Sequence, residues 1–226
     1  MRGGGAVRSA LDMCRVSRLI SGSFLASAAT LALASCAAAA THRSVDQARC
    51  LTRGARTLAV DSAARVFSLS GSVYGCIDAT GARRKLGGAG FCNLPTGRVG
   101  PVQLSGEIVA YGLETCGVDT ASSTVVVRDL TSGRRLEDVP ASTLPLGPES
   151  FVSVESLVLR KGGAVGWIAE GSSITSHVTT YEVHRFEHGK SSLLESGSGI
   201  HPMSLRLVRS RMSWRDASST HSASLG

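Results

Sequence analysis

The stretch TVVVRDLTSGRRL, residues 124–136, decides how the fold is read. An apolar arm, Val125-Val126-Val127, runs into Asp129, Thr131, Ser132 and Gly133, and the chain resumes through Arg134-Arg135-Leu136. Asp, Ser and Gly between two short strand-like runs is hairpin chemistry, with glycine supplying the positive φ of the turn. The unit occurs twice more, each time with a basic residue close behind the glycine: Tyr181 to Gly189-Lys190 and on to Leu193-Leu194, and Cys76-Ile77 to Gly81 and on to Leu86. A second kind of hairpin precedes these. It pairs Val66-Phe67-Ser68-Leu69 with Val73-Tyr74, Val102-Gln103-Leu104 with Ile108-Val109-Ala110-Tyr111, Leu157-Val158-Leu159 with Ala164-Val165-Gly166-Trp167, and Leu205-Arg206-Leu207 with Met212-Ser213-Trp214.

The aromatic residues that end these hairpins, at 74, 111, 167 and 214, are 37, 56 and 47 residues apart. Beyond residue 60 the alternation comes in short runs bounded by Gly, Ser and Asp, with no long amphipathic helical pattern. Two hairpins per 40–50 residues is the repeat of a four-stranded propeller blade. On residues 124–134 and the closing Ser204-Leu205-Arg206-Leu207 to Trp214, the chain resembles WD40-like and other β-propeller repeats, and exported actinobacterial proteins built from them. It departs from the WD40 pattern in lacking a Trp-Asp dipeptide and a Gly-His pair, and in its uneven spacing. The expected class is therefore all-β: about four antiparallel hairpin units over residues 61–226, the fourth without its second hairpin, arranged as an incomplete propeller or as a β-sandwich. Two less regular stretches, 112–123 and 171–180, occupy equivalent places in units two and three. They are expected on one rim, where repeat folds commonly bind partners.

The first 36 residues read differently. Arg2, Arg8, Arg15 and Arg18 precede an uncharged run, 19–34, rich in Ala and Leu, which is the layout of a secretory signal peptide. That run is diluted by Ser, Gly and Thr and is short for a spanning helix, which needs about 20 apolar residues. Leu33-Ala34-Ser35-Cys36 resembles a bacterial lipobox, which would make Cys36 the site of lipidation. Ala37 to Ala40 equally offers small residues to an ordinary signal peptidase. Residues 37–60 are then expected as a linker or tether carrying the first structural cysteine, Cys50.

Export changes the meaning of the cysteines. Cys50, Cys76, Cys92 and Cys116 contain no C-x-x-C pair, so an even set in an oxidising compartment reads as two disulfides. A hairpin turning at Ser105-Gly106 carries Cys116 back to within reach of Cys92, which pairs Cys92 with Cys116 and leaves Cys50 for Cys76. The net charge of +7 includes the four leader arginines, and the only basic run beyond them is Arg83-Arg84-Lys85. That run reads as a solvated hairpin face and not as a nucleic-acid footprint.

No Gly-x-Ser-x-Gly elbow is present, and Gly87-Gly88-Ala89-Gly90 opens no helix that could cradle phosphate. The one cluster to weigh is His184-Arg185-Phe186-Glu187-His188, with Glu182 and His201 nearby. On one strand His184 and His188 would stand about 13 Å apart, too far for one ion. The cluster is expected as a solvated hairpin tip, with Glu182 and Glu187 lacking acid–base partners. The expected function is an exported, non-enzymatic β-repeat domain, without cofactor or metal, that binds a protein, glycan or envelope component. It would touch the membrane only through a lipid at Cys36. The alternative is a secreted hydrolase or lyase whose residues meet only in a propeller channel.

Overall fold

The computed structural model describes residues 49–92, 97–145, 147 and 149–226. The leader, the lipidation site Cys36 and most of the expected tether lie outside the described residues. Every named element is a strand. β1 (Arg56–Val60), β2 (Ala64–Leu69), β3 (Ser72–Ile77) and β4 (Arg83–Gly88) form an antiparallel meander. So do β5 (Arg98–Ser105), β6 (Ile108–Cys116), β7 (Ala121–Asp129) and β8 (Arg135–Pro140). The third set is β9 (Ser150–Leu159), β10 (Val165–Ser173), β11 (Thr179–Glu187) and β12 (Lys190–Gly197). A three-stranded sheet, β13 (Arg206–Val208), β14 (Arg211–Asp216) and β15 (Ser219–Ser224), closes the chain.

Single parallel bridges, Gly88↔Arg98 and Ala121↔Phe151, stitch the first three sets into one hydrogen-bonded path. That path is open: it runs from β1 to β12 and does not return on itself. The four sets behave as blades because the apolar residues fall into separate seams between them. Ala64, Val66, Val73, Ile77 and Leu86 of the first blade pack on Val109, Tyr111, Val126 and the following Leu130 of the second. Ala110, Val125 and Val127 pack on Val152, Leu157, Leu159 and Trp167 of the third. Ile168 and Val183 pack on Met212, Trp214 and Leu225 in the fourth-blade region. The architecture is propeller-like: each inner blade is covered on both faces.

This arrangement explains the three valines at 125–127. A strand with one wet face alternates apolar and polar residues, whereas one buried on both faces reads as a continuous apolar run. Val125 and Val127 face the third blade, Val126 the first, and all three are buried. In β10, Trp167 and Ala169 face the second blade and Ile168 the fourth. Close approach across the seams is admitted by strand glycines. A Cβ on Gly112 would come within 2.9 Å of the Val154 side chain, and one on Gly166 within 2.9 Å of Met212. Gly75 lies as closely beneath Leu130.

The ends of the array differ from the sequence reading. The first blade begins one strand early, because Arg56–Val60 pairs with β2. The hairpin β2–β3 is thus the middle turn of its blade, and Tyr74, half-buried on the third strand, has no equivalence to Tyr111, Trp167 and Trp214 on second strands. The disulfide Cys50–Cys76 packs with Phe67 against the outer face of this blade, and Arg83 lies over the Phe67 ring at 5.7 Å. Among the described residues no other blade packs on this face, and the Cys50–Phe67–Cys76 cluster covers it. The second disulfide is Cys92–Cys116, so both pairings are those expected. In the fourth blade β15 adds a third strand where only a bare hairpin was expected.

Candidate partner-binding rim

An antiparallel blade sends successive turns to opposite edges. One edge of the array holds the tight hairpin tips: 61–63, 78–82, 106–107, 130–134, 160–164, 188–189 and 209–210. The other holds the turns between second and third strands, at 70–71, 117–120, 174–178 and 217–218, together with the connectors from blade to blade. Backbone hydrogen bonds fasten the described parts of the connectors to those turns: Ala89 N–H to Gly71 C=O (3.0 Å), Cys116 N–H to Cys92 C=O (3.3 Å), Ile174 N–H to Glu149 C=O (3.1 Å) and Ala217 N–H to Gly199 C=O (2.9 Å). The disulfide Cys92–Cys116 adds a covalent tie on the same edge.

This connector rim exposes large apolar side chains. Phe91 is 85% exposed and Val118 99%, and Ile174, Val178 and Met203 are each more than half exposed. The stretches 112–123 and 171–180 do reach one rim, although most of each is strand and only 117–120 and 174–178 are turn. Beside Met203 a cavity of about 510 Å³ is walled by His201, Ser204, Arg206, Trp214 and Arg215. Both charged groups of its wall are arginines. Arg206 is braced by hydrogen bonds from Nη1 to the Met203 and Leu205 carbonyls, at 3.1 and 2.8 Å.

The histidine cluster is dispersed. His188 and Gly189 take φ of 52° and 75° in a two-residue hairpin turn between Glu187 and Lys190, so His188 is exposed at the hairpin tip. His184 is not at a solvated tip. It is 1% exposed, with its ring stacked on Trp167 at 5.1 Å. His201 lies at the other edge, in the connector cavity.

Glu182, expected without a partner, has several. Its carboxylate accepts hydrogen bonds from Ser142 Oγ (2.6 Å), Thr143 N–H (2.8 Å) and Thr143 Oγ1 (2.6 Å), and lies 3.0 Å from His184 Nε2. Trp167 Nε1 donates to the Ala141 carbonyl at 2.7 Å. Burial pushes the Glu182 carboxyl up, but the hydroxyls, the amide and the imidazole outweigh it and hold the pKa at about 2. Burial also pushes the His184 imidazole down, against the pull of Glu182. The set resembles a Ser-His-acid triad in composition only. Ser142 donates to the carboxylate and not to the imidazole, so the imidazole is not placed to take its proton as in such a triad. Its visible work is to pin connector 141–144 to the third blade.

Two further cavities lie along the leading strands of the blades. One of about 500 Å³ is walled by Gln103 of β5, Leu157 and Leu159 of β9 and Leu207 of β13. One of about 250 Å³ brings Glu114 and Glu155 to the same wall, with Glu114 ion-paired to Arg98 and Glu155 accepting from Ser153 Oγ at 2.6 Å.

No family model matches the sequence, and no curated protein matches it. Solved structures do show similarity. Hydrazine synthase of Kuenenia stuttgartiensis aligns with a TM-score of 0.45 and 15% identity over 71% of this chain and 51% of its own. A subtype N10 neuraminidase-like protein of A/little yellow-shouldered bat/Guatemala/060/2010 aligns with a TM-score of 0.41 and 10% identity, over 73% of this chain and 51% of its own. The extracellular domain of a one-component system from B. thetaiotaomicron gives 0.29 and 9%, over 76% and 27%. The chain spans about half the length of the first two.

Proposed function

We propose that this chain is an exported, non-enzymatic β-repeat domain that binds a protein, glycan or other envelope component through its connector rim. The observation that carries the reading is that large apolar side chains from three blades, Phe91, Val118, Ile174, Val178 and Met203, are each exposed on turns and connectors of that rim. Apolar residues clustered on an exposed surface mark interaction sites more often than isolated ones do. Aliphatic side chains favour a protein partner over a glycan, and the arginine-walled cavity beside Met203 supplies a neighbouring contact for acidic groups. Two disulfides fit an oxidising, extracytoplasmic setting. A lipid at Cys36 would hold the domain at the membrane, and processing just beyond it would release the domain. Among the described residues no helix is long and apolar enough to cross a membrane.

The test uses purified protein and isolated cell envelopes of the producing organism. Saturable binding should fall at least roughly tenfold in the triple variant Phe91→Ser, Val118→Ser, Ile174→Ser, as expected when several interface residues are truncated. Lys190→Ser at the opposite edge should leave it unchanged. Equal binding by all three proteins would refute the rim. The hydrolase or lyase reading has one observation in its favour, the shared wall of Glu114 and Glu155, and Arg98 already occupies the first of these.

A further inference from the structure

The seam between the third and fourth blades carries a group of side chains that the rim does not use. Glu195 comes from β12, Asp216 from the end of β14 and His221 from β15. One ligand atom of each lies within 4.8 Å of the other two. His221 is directly opposite Trp214 in the register of β14 and β15, and Asp216 is two residues beyond Trp214 on the same face. The chain leaving β12 returns past this point: Ile200 bridges Asp216, and a Cβ on Gly199 would collide with Asp216 Oδ1. A glycine there leaves the carboxylate its place, whereas a side chain would require Asp216 to shift.

We propose that Glu195, Asp216 and His221 form a site for a divalent transition-metal ion of the zinc type. Three arguments support this. The donor set is one imidazole and two carboxylates, chemistry that suits zinc and its neighbours, and three protein ligands leave a fourth position for water. The spacing also fits. Metal–ligand distances of about 2.0–2.2 Å in a tetrahedron place donor atoms roughly 3.3–3.6 Å apart, and Glu195 Oε2 to His221 Nδ1 is 3.4 Å. The Asp216 donor lies within 4.8 Å of the other two. Finally, the surroundings orient the ligands: Trp214 Nε1 donates to Glu195 Oε2, and the Trp214 ring stacks on His221 at 6.0 Å and 28°. Hydrogen bonds and packing of this kind fix the ligands of metal centres. Among the described residues no lysine or arginine forms an ion pair with Glu195 or Asp216, so two carboxylates share the seam with one imidazole.

The experiment takes the full processed protein, stripped with a chelator, and titrates it with Zn²⁺ by calorimetry and with Co²⁺ by visible absorption. One equivalent should bind, Co²⁺ should show the intense d–d bands of a four-coordinate site, and Zn²⁺ should raise the melting temperature. His221→Ala and Asp216→Asn should each weaken binding at least roughly tenfold, while His201→Ala should not. Far-UV circular dichroism establishes that the variants are folded. If either should unfold, Glu195→Gln, which keeps the Trp214 hydrogen bond, serves in its place. An ion pair alone, recognised by no stoichiometric binding or by unchanged affinity in folded His221→Ala, would overturn the proposal. So would a preference for Ca²⁺ over Zn²⁺.

Discussion

Glu182 and His184 are both almost fully buried, and both make the fold sensitive to acid. The Glu182 carboxyl sits at about 2 in the folded chain and near 4.5 when unfolded. Its ionised form therefore stabilises the fold above the unfolded value, by about 3 kcal/mol at 1.36 kcal/mol per unit. That contribution drains away as pH falls from about 4.5 towards 2. His184 acts in the same direction. Its folded pKa lies below the 6.5 of an open imidazole, so the unfolded chain takes up protons first as pH drops through that value. Thermal melting followed from pH 7.5 to 3 should show a shallow fall near 6.5 and a steeper one below 4.5. In Glu182→Gln the steeper fall should shrink, and a melting temperature flat across the range would contradict this account of the network. No local signal marks these partners in the sequence. Ser142 and Thr143 lie about 40 residues from Glu182 and meet it only after the connector folds across the third blade. The histidines were legible as a cluster and mislead as one. A tight turn throws His188 outward, while strand alternation buries His184 on Trp167.

At the scale of the element, the hairpins were readable because their turns need specific chemistry. Asp129 caps its own turn, accepting from Thr131 N–H at 2.8 Å and Ser132 Oγ at 2.7 Å, and Gly133 takes a φ of 77°. Asp61, at the first tip, accepts from Gly106 N–H at 2.6 Å and so joins two neighbouring blades. The strands β1 and β15 were less legible. β1 is largely exposed, and β15 alternates only through His221 and Ala223 without an apolar run, so neither carries a strong strand signal in the sequence. The seam glycines give the sharpest element-level prediction. Gly112→Ala and Gly166→Ala place a methyl group against Val154 and Met212 in covered seams, and overpacking of this kind costs typically 1–3 kcal/mol. Chemical denaturation should show the loss at both positions, smaller at Gly166, where flexible Met212 can yield. Gly90→Ala, with open space around it, should change stability little. A neutral Gly112→Ala would mean that the second and third blades do not pack as described.

For the whole molecule, the blade plan creates two edges: one of short hairpin tips, flanked by exposed Val60 and Val208, and one of turns and connectors carrying the more exposed Phe91 and Val118 together with Ile174. Among the described residues Phe91, Val118 and Ile174 are left largely uncovered, and the proposed partner accounts for their exposure. The rim itself was foreseeable from the equivalence of two loops, whereas its apolar character depends on which side chains fail to find a seam. The most direct measurement is site-specific photo-crosslinking in the producing cell, with a benzophenone amino acid at Val118 on the connector rim or at His188 on the hairpin edge. The account predicts a discrete adduct from position 118, abolished by Phe91→Ser and Ile174→Ser, and none from position 188. Adducts of equal yield from both edges, or none from position 118, would contradict it.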